Sequence, residues 1–465
     1  MKKILQSSVL FLAISSNLLA TDYKRFTDGV WDDQTKWSGG RVPIDDWNGD
    51  VYLYNETTTS FKFSLEDQTY LIKELNVLGN DWTFSGGTLT LARGWFAGDA
   101  TIRYGGRQTL TLATNLKLES NKDTILDVSD PAGIVRLLGR VGGPSSLKKI
   151  GPGTLLIEAI YSAGNNEWSQ LRLCGGIIGI APVVLGHHGI SVEVDSKLFA
   201  LNGDLIITGT LNIPSGVNLN IINPNVINPN DPTSHSVTLW GDKFGNGTIN
   251  QLSDGDLIFK GKDDFEGTIN TYGGCGKVVL NGDTGADIEM NGGEIAGKDG
   301  GTRGKLTAQG RGSIISPSYN GRVGTLSFGS MYLGPSTVLN FTLGNTSSHI
   351  RVNGDLTLTG KLNINAAPGF SAGAYSLFSY TGNLTYKEGD LKLDSVPDGY
   401  DVSKFKFFVQ TEVVPGQVNL FVPEPQPDLE APNLGTSNGN GFSTFQFLDG
   451  DRTTADGKIL GCSGV

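Results

Sequence analysis

Cysteine is nearly missing from this chain, with 3 in 465 residues. That number rules out a disulfide-knit scaffold and leaves room for one internal bridge at most, with a thiol to spare. Methionine is as scarce at 3 and histidine stands at 4. No spacing among His187, His188, His235 and His349 resembles a metal-ligand set. Charged residues are few, 18% of the chain, and the positive ones fewer, 36 Lys and Arg against 47 Asp and Glu. Past the start the one Lys-Lys doublet is Lys148-Lys149, so the basic stripe that a phosphate backbone needs is lacking and a nucleic-acid partner is not expected. Helix formers do not dominate, and no later stretch approaches about 18 uninterrupted apolar residues, so no membrane-spanning helix is expected in the mature chain.

Glycine is what the chain has in excess, 65 residues, about twice ordinary usage. It shows no three-residue period, which excludes collagen, and 38% apolar residues are too many for disorder. The composition predicts an all-β, turn-rich protein. Lys2 and Lys3 precede an apolar run that ends at Leu18, Leu19 and Ala20, so residues 1–20 read as a Sec signal peptide. Its removal would shift the net charge from −11 to about −13. Cys174 and Cys275 each sit beside a Gly-Gly pair and could meet only if their turns stack; with Cys462 they are read as isolated, inert thiols. No cysteine follows Ala20, so a lipoprotein anchor is not expected.

Short strands recur on one template, a glycine, then Thr or Asp, then alternating Leu or Ile, at Gly87 to Leu91, Gly153 to Ile157, Gly203 to Ile207 and Gly354 to Leu358. Residues 202–213 and 353–364 are identical at nine of twelve positions. A five-residue strand with one narrow apolar face cannot stand alone and must stack on copies of itself. Hairpin dipeptides are sparse, while Gly-Gly and Asn-Gly corners are common. A parallel β-solenoid accounts for both, with alternate side chains directed into a shared core and positive-φ residues at the corners. The expected division is an N-terminal β cap over 21–81, a β-helix over 82–320, a C-terminal β module over 321–422 and a linker and tail over 423–465. With about 20–25 residues per coil, the central region would make about ten to twelve coils. Antiparallel β-sandwich modules are the alternative.

Gly29-x-Trp31 with Trp37-x-Gly39-Gly40 and Pro43 forms an opening, and Lys149 followed by Gly151-x-Gly153-Thr154-Leu155 forms a central signature. Val323 to Leu326, Val352 to Leu356, Gly373 to Phe378 and Pro415 to Leu420 form an ending, in that order. This ordered set resembles the autotransporter-associated β-strand repeat proteins. The resemblance implies an exported bacterial passenger built as a right-handed, pectin-lyase-like parallel β-helix, used in adhesion or surface coating. Those proteins typically end in an outer-membrane β-barrel, for which this sequence offers no paired amphipathic strands. Instead Val422-Pro423-Glu424-Pro425 opens a Pro-, Asn- and Gly-rich stretch, which reads as a shortened or single-module copy. A truncated copy without function is a further reading.

Parallel β-helices also serve as polysaccharide lyases and hydrolases, so catalytic groupings matter. Gly186-His187-His188-Gly189 lacks the aspartates and basic residue a hydrolase needs around it, and is expected to be a surface turn. Asp263-Asp264 with Glu266, Lys260 and Lys262 is the densest acidic knot, but neighbours on a strand point to opposite sides and cannot form one calcium clamp. Asp283-x-Gly285-x-Asp287 and Gly297-x-Asp299-Gly300 show no tandem nine-residue calcium repeat. Trp31, Trp37, Trp47 and Trp82 are expected to plug the first coils rather than bind sugar rings. No nucleophile elbow or phosphate loop occurs.

The sequence therefore assigns no catalytic, cofactor or metal residue. It predicts a non-enzymatic, monomeric, passenger-like structural or adhesin protein, extracellular or at the cell surface, with periplasmic retention as the other location. Surface glycans or matrix-like proteins are the expected partners. The alternative, a carbohydrate-active β-helical enzyme, requires carboxylates and a basic residue to meet on one coil face.

Overall fold

A computed structural model describes residues 21–425 apart from 26–28, 38–39, 44–48, 56–59, 80, 93–98, 121, 159–168, 183, 186–188, 225–233 and 411–415. The signal segment 1–20 and the tail from 426 onward lie outside the described residues, as do Trp47 and Cys462. The fold is all-β, a parallel β-solenoid of about twelve turns. Helix is confined, among the described residues, to short 3-10 turns such as Gln34–Lys36 and Val402–Lys404.

Each coil runs through up to three short strands, and strands of successive coils pair in parallel to build three faces. Alternation directs every second side chain inward, and register stacks those side chains into columns. On the first face Phe63, Phe84, Leu112, Leu137, Ile157, Ile180 and Ala200 are consecutive partners. Farther along it Leu219, Ile249, Ile269, Ile288 and Leu306 continue, at about 20 residues per coil. On the second face Leu205, Val237, Leu257, Val278, Ile295, Ile315, Leu339 and Leu362 align. All of these are buried in one continuous core. Each buried Leu or Ile contributes about 1.5–3 kcal/mol, which no isolated strand would collect.

The third face begins with the strand Thr21–Arg25 paired to Gly49–Asn55, so residues 21–81 stack in the same ladders as the centre. Parallel pairing also continues past 320, to Leu384–Thr385 on the first face and Leu391–Ser395 on the second. The coils thus extend beyond 82–320 on both sides. The tryptophans lie inside these early coils: Trp31 and Trp82 are fully buried and Trp37 nearly so. Trp31 packs edge-on to Trp37 at 5.1 Å and meets Phe63 at 6.0 Å, while both indole N–H groups donate to backbone carbonyls, of Pro43 and of Trp31.

Among the described residues three pairings are antiparallel. Ser318–Tyr319 folds back on Arg322–Val323. On the third face Gly373–Tyr380 pairs with Gln417–Val422, which in turn pairs with Lys406–Gln410.

Candidate interaction surface

Asp and Asn side chains at the corners tie each coil to the next. Oδ1 of Asp81, Asp204, Asp287, Asp299 and Asp355 accepts the backbone N–H of Thr109, Ser236, Lys305, Thr325 and Asn383, at 2.7 to 3.1 Å. Each contact satisfies a donor at the start of a strand one coil later. The residues Asp287 and Asp299, weighed in the sequence as calcium ligands, are used in this way. Asp204 and Asp355 occupy matching positions of the two near-identical twelve-residue segments. Those segments lie on different faces, since Leu205 belongs to the second and Leu356 to the first. The template therefore describes a corner and its strand, not a whole coil.

The acidic knot divides across the wall. Asp263 turns inward and Asp264 outward, where its side chain is 78% exposed and lies 3.3 Å from Arg303. Asp263 meets Lys243 at 3.2 Å, and both side chains are 1% exposed. Lys243 also donates to the carbonyls of Leu239, Gly241 and Lys260, and Asp263 accepts from Thr284 Oγ1 and the Phe265 N–H. Burial pushes the Lys243 amine down, against the pull of Asp263. The Lys149 of the central signature is a second inward lysine, standing between Leu126 and Leu173 in an aliphatic column. It is 1% exposed and donates to the carbonyls of Ile150 and Gly151, at 2.8 and 2.7 Å, with Gly175 O at 3.5 Å. Burial lowers it to about 8.

Carboxylates and bases do meet on the outward side of the third face. Arg172 bridges Asp123 and Glu193, Lys148 lies 3.6 Å from Glu193, Arg103 pairs with Asp127 and Lys73 with Asp50. A β-bulge between the partners of Leu173 and Cys174 brings Glu193 to Arg172. Burial pushes the Glu193 carboxyl up, but hydrogen bonds from Arg172 and Cys174 and the nearby cations hold it below its ordinary range. The thiol of Cys174 donates to Glu193 at 3.1 Å, and burial with that contact pushes it up to about 11. Cys174 and Cys275 are both free thiols. Asp50, Asp123, Asp127 and Glu193 each hold a cation, which makes the row an electrostatic clasp between coils.

The histidines of the Gly-His-His-Gly segment lie outside the described residues; its Gly189 opens the strand Gly189–Val194. His349 contacts Ser376 and Ser379. Among the described residues no group of three or more His, Cys, Asp or Glu is placed to hold a metal ion.

Outward side chains otherwise repeat from coil to coil. Asn220, Asn250 and Asn270 form a hydrogen-bonded ladder at 2.8 Å per step on the first face. Ser316, Asn340, Asn363 and Ser395 form another on the second, at 2.9 to 3.2 Å. The sequence reading passed over Trp240, which is 53% exposed and carries Lys260 over its ring at 4.8 Å. Its signal was a tryptophan directly before Gly241, where a strand ends. This arrangement can engage a partner at many evenly spaced points without rearrangement.

No helix among the described residues is long and apolar enough to cross a membrane. No protein-family model matches the chain. One curated protein is similar over part of it: the adhesin BmaC autotransporter of Brucella suis biovar 1 (strain 1330), 31% identical over 147 residues. That stretch is 30% of this chain and 4% of the Brucella protein, so the chain spans a small fraction of its relative's length. Over that stretch of sequence, this β-solenoid chain is thus homologous to part of an autotransporter adhesin.

Proposed function

We propose that the chain is a passenger-like adhesin, displayed outside the bacterial cell, whose solenoid presents repeated outward ladders to surface glycans or matrix-like proteins. The observation that carries this reading is the continuous parallel register. Outward groups recur every coil, at about 4.8 Å, on a wall that is ordered before any partner arrives. Contacts that are weak singly gain by repetition along such a wall. Partial similarity to an adhesin supports the same reading. The carbohydrate-active alternative is less well supported, since Asp50, Asp123, Asp127 and Glu193 on the third face are held by Arg and Lys.

The test combines location and binding. Protease added to intact cells should remove the protein, and beads bearing many copies should bind a glycan and matrix-protein panel far more strongly than the single chain. Complete protection from protease, or equal binding by beads and single chain, would sink the proposal. Release of shortened glycans from the panel would favour the enzyme instead.

A further inference from the structure

The outward side of the third face, near its antiparallel closure, holds a polar constellation that display does not use. His349 opens the strand His349–Val352 and faces the strand Gly373–Tyr380. Its Nδ1 lies 3.2 Å from the carbonyl oxygen of Ser376 and its Nε2 2.9 Å from Oγ of Ser379. A carbonyl only accepts, so the first contact puts a proton on Nδ1. The neutral ring then offers the Nε2 lone pair to the Ser379 hydroxyl. Burial pushes the imidazole below its ordinary 6.5, the Ser376 carbonyl pulls it up and Arg351 pushes it down again, leaving it neutral at pH 7. The strands Thr325–Leu333, Gly373–Tyr380 and Gln417–Val422 bring no Asp, Glu, Lys, Arg or His to it.

A second observation points to a ligand. Ser376 and Asn419 are register partners, as are Ser379 and Gln417. Val418 and Leu420 enter the core, so Asn419 and Gln417 take the outward side with Ser379. Asn419 is 5% exposed, and its Nδ2, like Oγ of Ser376, is buried without a hydrogen-bond partner among the described residues. A buried donor left unmade costs about 1–3 kcal/mol, which a bound acceptor would relieve.

We propose that Ser379 and His349 form a nucleophile and base that take an acyl group from a small ester, with the Asn419 amide donating to the carbonyl oxygen. Oγ of Ser379 adds to the ester carbon as its proton passes to Nε2 of His349. The carbonyl oxygen gains the negative charge, and Nδ2–H of Asn419 donates to it. Collapse breaks the bond to the alcohol, which leaves with the proton from Nε2, and Ser379 is acylated. Water then repeats the sequence, releasing the acid and restoring the hydroxyl. A backbone carbonyl, not a carboxylate, backs the imidazole, so the second half is slow and the acyl form accumulates.

The test is the full chain with p-nitrophenyl acetate near neutral pH. One acetyl group should appear on the peptide containing Ser379, with a burst of nitrophenolate. Ser379→Ala should abolish that acetylation, His349→Gln should slow it by about 10²–10⁴-fold and Asn419→Ala by about 10²-fold. The rate should fall in acid as the ring takes its proton, at a pH lower than for an ordinary imidazole. Ser379→Ala removes one hydroxyl and leaves the β circular-dichroism spectrum unchanged, so it decides even where His349→Gln misfolds. No acetylation of the unaltered chain, or acetylation that is unchanged in S379A, would overturn the proposal.

Discussion

The corner at Lys149 and the corner at Lys243 meet one need in two ways. Each puts an ammonium where its column otherwise carries an aliphatic residue, Leu126 and Leu173 beside the first and Leu211 below the second. Each donates to backbone carbonyls of its corner. Only the second adds a carboxylate, Asp263. The carbonyls are the shared element, so the lysine serves the glycine-rich corner first and the ion pair second.

The largest expected effect tests that order. Asp263→Ala leaves Lys243 charged, buried and unpaired, and should cost about 3–5 kcal/mol in urea unfolding. A loss below about 1 kcal/mol would mean that the carbonyls suffice at both corners. Next comes pH. Folding lowers the Lys149 amine from 10.5 to about 8. Between those values the unfolded chain keeps a proton that the folded chain has released, so the part of the stability that Lys149 contributes should rise with pH across that window. That part approaches about 3 kcal/mol, and it should appear as the difference between the pH dependence of the unaltered chain and that of Lys149→Met.

A smaller difference concerns the glycines. Gly176 has φ +75°, and a Cβ there would lie 2.5 Å from the carbonyl oxygens of Gly151 and Gly153 and 2.8 Å from Nζ of Lys149. Gly261, beside Lys243, has φ +76° but meets only the Trp240 carbonyl, at 3.1 Å. Gly176→Ala should cost about 2–3 kcal/mol and Gly261→Ala about 1 kcal/mol, by the midpoint of thermal unfolding. Smallest is Asp264→Ala, which removes a solvated partner of Arg303 and should stay within about 0.5 kcal/mol. Equal losses for Asp263→Ala and Asp264→Ala would erase the distinction between the two sides of the wall.

The alternation of Leu and Ile was enough to read the strands, because a period of two follows from the pleat itself. The opposed directions of Asp263 and Asp264 were legible for the same reason. The inward lysines were not. Lys149 reads in sequence as one half of a charged doublet, and only the neighbouring coil shows that carbonyls await its ammonium. Residues 21–81 looked like a cap because of their tryptophans, yet aromatic side chains fill the same inward columns that leucine fills later. The cluster around His349 and Ser379 draws on three strands between residues 349 and 422, and a bulge near Ser376 sets its geometry. No local pattern announces it.

The antiparallel closure at 373–422 bears on how the molecule behaves in a crowd. A parallel rung is a template on which another chain could add in the same sense, and so on without limit. Where Gln417–Val422 runs against Gly373–Tyr380, the polarity of the third face reverses for one strand, and Lys406–Gln410, running against Gln417–Val422 in turn, restores it. A further parallel turn cannot add to Gly373–Tyr380 itself, because Gln417–Val422 already occupies that edge.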